Sequence, residues 1–93
     1  PYGNTYVVEF AQNKSILTGT AKATLNDVPA NATVTLDAYA SPEGAKAYNK
    51  KLSQRRADEV KKYLEARGIK VVGVTAHGAE SDSSNRVVYV RVK

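Results

Sequence analysis

Apolar and polar residues alternate along residues 33–40, where every second position from Val34 to Ala40 is apolar and Asp37 lies among the positions between them. Successive side chains of a β-strand point to opposite faces of the sheet, so the alternation predicts a half-buried strand. We expect its apolar face to line a core and its other face to be more polar.

Three further runs rich in Val, Tyr and Thr predict strands at residues 5–10, 71–76 and 86–92. Between the last two of these runs the chain is polar from His77 to Asn85. A polar segment with Gly and Ser between two apolar runs is typical of a loop, and we predict one there.

Two segments between the strands predict helices. Residues 16–27 fit a short helix, although Gly19 and several Thr residues weaken it. A longer helix is predicted over residues 42–67, with Ser41 as its N-cap and Gly68 as the residue just past its C-terminus.

The resulting order of elements, β-α-β-α-β-β, predicts an α+β fold. We expect a two-layer α/β sandwich in which a mixed sheet carries both helices on one face. A chain of 93 residues supports one core, so residues 1–93 should form a single domain. No Met begins the sequence, and we therefore expect a piece of a longer protein.

Composition excludes several classes of protein and site. The longest stretches without Asp, Glu, Lys or Arg have nine residues, whereas a membrane-spanning helix needs about 20 mostly apolar residues. We expect no membrane insertion of this domain. The absence of cysteine and the single histidine exclude disulfides and argue against a structural zinc site.

The net charge of +5 favours an anionic partner. Nucleic acid is disfavoured because Asp58, Glu59 and Glu65 are interleaved with the basic residues of the long helix. Such mixed charge is typical of a solvated helix face and not of a stripe that follows a phosphate backbone.

One arginine of the long helix lies where an apolar residue is expected. A helical wheel at about 100° per residue places Arg56 and Asn49 inside the apolar band, while the neighbouring Arg55 points to solvent. The apolar band consists of Tyr48, Leu52, Val60, Tyr63 and Leu64. Because a guanidinium stays charged at any accessible pH, a buried arginine must be hydrogen-bonded or paired.

Two interpretations of Arg56 remain open. In the first it is structural and bonds to carbonyl groups at strand ends, or to an internal acid such as Asp37, Glu80 or Asp82. In the second it faces a cleft between the long helix and the preceding loop, where it binds a carboxylate of a ligand.

The long helix also carries a motif with characteristic spacing. Its members are Tyr48-Asn49, Leu52-Ser53, Arg56-Ala57, Val60, Tyr63-Leu64 and Gly68-Ile69. In these residues the sequence resembles the OmpA-like domain of Gram-negative envelopes, and the resemblance extends over nearly the whole chain. The loop Ser41-Pro42-Glu43-Gly44 is similar to a variant of the family from Bacteroides-type bacteria.

The resemblance implies noncovalent binding of peptidoglycan through the diaminopimelate of its stem peptide. By this resemblance Arg56 binds a carboxylate, Asn49 assists it, and Leu52 and Ser53 lie in the same cleft. No catalytic residue, metal or cofactor is implied.

The loop before the helix departs from the family pattern. Ser41 takes the position of the family's Asp, which holds the ammonium group of diaminopimelate. A hydroxyl group cannot neutralise an ammonium, and Glu43 is the residue that could supply the charge instead. Gly44 completes the expected loop.

We therefore expect a non-catalytic periplasmic domain that binds peptidoglycan and anchors an outer-membrane protein or lipoprotein of a Gram-negative bacterium to the cell wall. The alternative is an OmpA-like scaffold that has lost wall binding and mediates protein–protein assembly. Ser41 and a short last loop favour that alternative, and a homodimer is left open.

Overall fold

The four strands form one mixed sheet, and two helices complete the fold. The structure is a computed structural model that describes residues 5–11, 14–40, 45–78 and 86–93. The elements in chain order are β1 (Thr5–Glu9), α1 (Gly19–Asn26), β2 (Thr33–Tyr39), α2 (Lys46–Ala66), β3 (Lys70–Gly78) and β4 (Val87–Val92). The predicted order β-α-β-α-β-β is confirmed.

The strand order in the sheet is β1-β4-β2-β3. β2 and β3 are parallel, and α2 provides the crossover that a parallel pair requires. β4 lies between β1 and β2 and is antiparallel to both. In this register Leu36 lies opposite Val90 of β4 and Val74 of β3.

Both helices pack on one face of the sheet, as the α+β two-layer prediction requires. Val34, Leu36 and Ala38 of β2 are buried on that face, and the alternation predicted for this strand is confirmed. The helices contribute Ala21, Leu25, Ala57, Val60 and Leu64 to the same core. Each fully buried Val or Leu side chain contributes about 1.5–3 kcal/mol to folding.

α1 begins at Gly19, three residues later than the sequence predicts. Thr18 sets the start because its Oγ1 accepts a hydrogen bond from the N–H of Ala21 at 3.1 Å. This is a standard N-cap, and it satisfies one of the unpaired amides at the helix end.

The predicted start of the long helix is wrong. α2 begins at Lys46, its N-cap is Ala45, and no side chain caps it. The predicted N-cap, Ser41, lies outside the described residues. Ser41 followed by a proline is a strong local signal for a helix start, but Ala45 has extended backbone angles (φ −75°, ψ 142°), so regular helix starts only after it.

The predicted position of Gly68 just past the C-terminus of α2 is confirmed, and this glycine has a φ of +86°. The Gly68 N–H donates to the carbonyl of Glu65 at 3.0 Å, and the Ile69 N–H donates to the carbonyl of Leu64 at 3.1 Å. These two bonds form a Schellman motif, which the buried side chains of Leu64 and Ile69 accompany.

β3 is longer than predicted, because His77 and Gly78 belong to the strand and not to the loop. Register irregularities in the β2–β3 ladder allow Tyr39 to pair with Gly78. Among the described residues, neither helix has the length and hydrophobicity needed to cross a membrane.

Candidate functional site

Arg56 is fully buried, and the prediction that it points inward is confirmed. It lies on the same side of α2 as the core residues Ala57 and Val60, whereas Arg55 is exposed. Asn49, Leu52 and Ser53 are also buried on this helix. Four of the seven residues expected at the site therefore share its inward side.

The guanidinium of Arg56 donates to three backbone carbonyls. Its Nε bonds to the carbonyl of Lys14 at 2.8 Å, its Nη1 to that of Tyr39 at 3.1 Å and its Nη2 to that of Ala11 at 3.0 Å. Ala11 and Lys14 belong to the β1–α1 connection, and Tyr39 ends β2. Arg56 thus ties two separate segments to α2.

No carboxylate of the described residues forms an ion pair with Arg56. Its guanidinium lies over the ring of Phe10, with 5.2 Å between the carbon of the group and the ring centroid. Burial, together with the nearby charge of Arg86, lowers the pKa of Arg56 to about 10. The side chain therefore keeps its charge at neutral pH and is balanced by carbonyl dipoles and an aromatic ring.

Ser53 lies one turn before Arg56 and joins α2 to the end of β3. Its hydroxyl donates to the carbonyl of Lys50 at 2.9 Å and accepts from the N–H of Gly78 at 3.0 Å. Gly78 has a φ of +67°, and a Cβ built there would come within 3.4 Å of the Cα of Lys50. The sequence placed Ser53 at the ligand site, and the structure shows its hydroxyl engaged within the protein.

The remaining expected site residues, Ser41, Glu43 and Gly44, lie outside the described residues. The chain leaves β2 next to the guanidinium, because Arg56 bonds to the carbonyl of Tyr39. Ala40 is buried and its N–H donates to the carbonyl of Gly78 at 2.8 Å. Tyr39, two residues before this segment, therefore lies beside Arg56.

Asp37 is not a partner of Arg56, which corrects one of the candidate acids. It lies on the opposite face of the sheet, where its carboxylate contacts Nε2 of His77 at 2.9 Å and accepts from Nε of Arg91 at 3.1 Å. Burial raises the pKa of Asp37, but the hydrogen bonds from His77 and Arg91 outweigh it, and the pKa is lowered overall.

Aromatic rings surround this second cluster. Tyr39 stacks on His77 with centroids 4.4 Å apart, and Tyr89 meets Tyr39 edge-on at 5.9 Å. The sequence predicts His77 in a polar loop, whereas the structure places it in β3, where it contacts Asp37. The alternation in β2 predicts that Asp37 lies on the polar face of the sheet, and this pattern is the signal in the sequence that could have located the cluster.

No group of residues suited to holding a metal ion is found within the described parts of the chain.

One family model matches most of the chain. The family model described as the OmpA family matches residues 9–87. A search of curated proteins yields no match to the chain.

Several solved structures share the fold at low sequence identity. The peptidoglycan-associated lipoprotein from Burkholderia pseudomallei is similar with a TM-score of 0.71 and 17% identity, over 95% of this chain and 90% of that chain. The OmpA-like domain of FopA1 from Francisella tularensis gives a TM-score of 0.64 and 22% identity, over 96% of this chain and 73% of that one.

The C-terminal domain of MotB from Helicobacter pylori gives a TM-score of 0.64 and 14% identity, over 97% of this chain and 85% of that chain. At such identities these structures establish the fold, whereas the match of the family model extends from β1 into β4 and includes the whole of α2 with its buried arginine. The chain belongs to the OmpA family.

Proposed function

We propose that this domain binds peptidoglycan without catalysis and anchors an envelope protein to the cell wall. The observation that carries the proposal is the buried cation of Arg56, which has no carboxylate partner among the described residues. A buried charge without a counter-charge favours an anionic ligand. A similar structure is that of a protein described as a peptidoglycan-associated lipoprotein, which supports the choice of polymer.

The proposed ligand is the stem peptide of peptidoglycan, and diaminopimelate is its contact residue. Three N–H groups of Arg56 bond to protein carbonyls, and a guanidinium has further N–H donors beyond these. Those donors would bind a carboxylate that enters from the side of residues 41–44. Charge-assisted hydrogen bonds of this kind are about twice as strong as neutral ones.

The other proposed contacts lie on α2 and on the segment before it. Asn49 and Leu52 are buried on the same side of the helix as Arg56, and they would form one wall of the cleft. Ser41 and Gly44 would form the facing wall, and Glu43 would hold the ammonium of diaminopimelate. Ser53 would act indirectly, because its hydroxyl holds α2 against β3.

Sedimentation with purified peptidoglycan tests the proposal. Glu43→Gln and Arg56→Lys should each reduce the fraction of the domain that pellets, and circular dichroism would verify that each variant is folded. Arg55→Lys is the matched control, since it makes the same substitution at the exposed neighbour. A folded Arg56 variant that pellets as well as wild type would contradict the site.

The second candidate function is a scaffold that no longer binds the wall and mediates protein–protein assembly, including self-association. The complete burial of Arg56 and its three carbonyl bonds favour it, because a purely structural role already accounts for them. Titration with diaminopimelate distinguishes the two. Amide shifts at Asn49 and Arg56 support wall binding, and their absence supports the scaffold.

For either function we place the parent protein in the periplasm or outer membrane of a Gram-negative bacterium. Membership of the OmpA family supports this location. Fractionation of cells that express the full-length parent protein would test it, with the expectation that the protein is recovered with the envelope and not with the cytosol.

A further inference from the structure

An apolar groove lies between the two helices, beside the segment that leads into α1. It has a volume of about 450 Å³ and is open to solvent. Ile16, Leu17, Tyr63 and Ala66 provide its apolar lining, and Ile16 is 70% exposed. The volume lies within the roughly 300–1,000 Å³ that is usual for binding sites.

The two sides of the groove carry positive charge. Lys22 of α1 lies on one side and Lys62 of α2 on the other, with Glu59 next to Lys62. The ammonium of Lys62 is 4.0 Å from the carboxylate of Glu59, and 79% of the Lys62 side chain is exposed. An exposed pair at that distance is weak, so both lysines are available to an incoming anion.

The floor of the groove is held in place by the core. Tyr63 fixes one wall, because its hydroxyl donates to Oδ1 of Asn26 at 2.8 Å. The next residue of α2, Leu64, is fully buried. A groove formed before its ligand arrives loses little conformational entropy on binding.

We propose that this groove binds an acidic peptide segment of a partner protein. A bulky apolar side chain of the peptide packs between Ile16 and Tyr63, and flanking carboxylates pair with Lys22 and Lys62. Peptide is favoured over a free acyl chain because the groove is open to solvent and not enclosed. An acyl chain would leave much of its length in water, whereas a peptide needs to bury one or two side chains only. This inference is independent of wall binding.

Titration of the isotope-labelled domain with three short peptides tests the proposal. The probe is Asp-Glu-Leu-Phe-Glu-Asp, and its two comparison peptides replace either the acids by Lys or the Leu-Phe pair by Ser-Ser. We expect amide shifts at Ile16, Leu17 and Lys62 with the probe alone. Stronger or equal binding of the basic peptide, or shifts confined to other surfaces, would overturn the proposal.

Variants of exposed residues locate the contact without disturbing the core. Ile16→Ser and Lys62→Glu should each weaken binding of the probe peptide about tenfold. The first removes an apolar contact with the peptide, and the second removes a lysine that pairs with one of its carboxylates. Lys51→Glu makes the same charge change on α2 outside the groove, and we expect less than about a twofold effect from it. Equal losses of peptide binding in Lys62→Glu and Lys51→Glu would refute the assignment. Binding of laurate, used as a free acyl chain, without binding of the peptide would refute it as well.

Discussion

At the residue scale, Arg56 combines charge with a structural task. Its three carbonyl acceptors lie 42, 17 and 45 residues away in sequence, so a single side chain holds together segments that are distant along the chain. Carbonyl oxygens that are buried without a donor cost about 1–3 kcal/mol each. The arginine therefore matters to stability whether or not it also binds a ligand.

We expect Arg56→Ala to lower the free energy of unfolding by about 3–5 kcal/mol, because it removes three hydrogen bonds and leaves a cavity. Urea denaturation followed by circular dichroism would measure the change. Arg55→Ala is the control on the exposed side of the same helix and should cost less than about 0.5 kcal/mol. Similar losses in the two variants would mean that the three carbonyl bonds contribute little.

The sequence predicts carbonyl groups at strand ends as one possible set of partners for Arg56, and Tyr39 at the end of β2 is such a partner, but the individual acceptors could not be predicted. A helical wheel predicts which residues of a helix face inward, because burial follows the helical period, and Arg56 is buried as predicted. Every residue, however, carries the same backbone carbonyl, so no sequence pattern marks Ala11 or Lys14 as an acceptor. Asp37 was a reasonable candidate by charge, but strand alternation places it on the far face.

At the element scale, α2 ends at a strong local signal and begins without one. Gly68 at the end of α2 was predictable because a left-handed residue there favours glycine. The start of α2 was not predictable, because Ala45 offers no capping side chain. Ser41 supplied a misleading signal, since its type and the proline after it are favourable at any helix start.

Two glycines at helix ends allow a matched test of this argument. A Cβ added at Gly19 or at Gly68 would meet nothing within 4 Å, but only Gly68 has a positive φ, of +86°. We expect Gly68→Ala to lower the melting temperature, at a cost of about 1–2 kcal/mol. Gly19→Ala should raise the melting temperature, with a gain in the free energy of unfolding of up to about 1 kcal/mol, because alanine has less freedom in the unfolded chain. Thermal unfolding of both variants measures the two changes. If both variants raise the melting temperature, or both lower it, the role given to the positive φ of Gly68 is contradicted.

At the scale of the whole molecule, the two-layer α+β architecture could be predicted from the periodicity of apolar residues along the chain. Strand alternation and helical spacing each identify a buried face, and burying those faces together leaves few arrangements of layers. The pairing order β1-β4-β2-β3 cannot be predicted from these periodicities. It depends on contacts between strands far apart in the chain, and the apolar runs of β3 and β4 suit several neighbours equally well.

The face of the sheet away from the helices is held by a charge cluster that spans three strands. Asp37 on the central strand β2 contacts His77 of β3 and Arg91 of β4. Because these contacts lower the pKa of Asp37, its carboxylate form is stabilised by folding. That contribution is present above the unfolded pKa of about 3.9 and is lost as the pH falls through the lower pKa of the folded state.

We therefore expect Asp37→Asn to destabilise the domain at pH 7 and to have a smaller effect once the pH lies below the lowered pKa of Asp37, where both proteins carry a neutral group at this position. The difference in unfolding free energy between wild type and variant should shrink as the pH falls from about 5 through the lowered pKa of the folded state. Urea denaturation across this range measures it, with Asp58→Asn as the control, since Asp58 is exposed and its carboxylate accepts one hydrogen bond from Gln54 at 3.0 Å. A difference that stays constant with pH would show that residue 37 stabilises the sheet through its shape and hydrogen bonds and not through its charge.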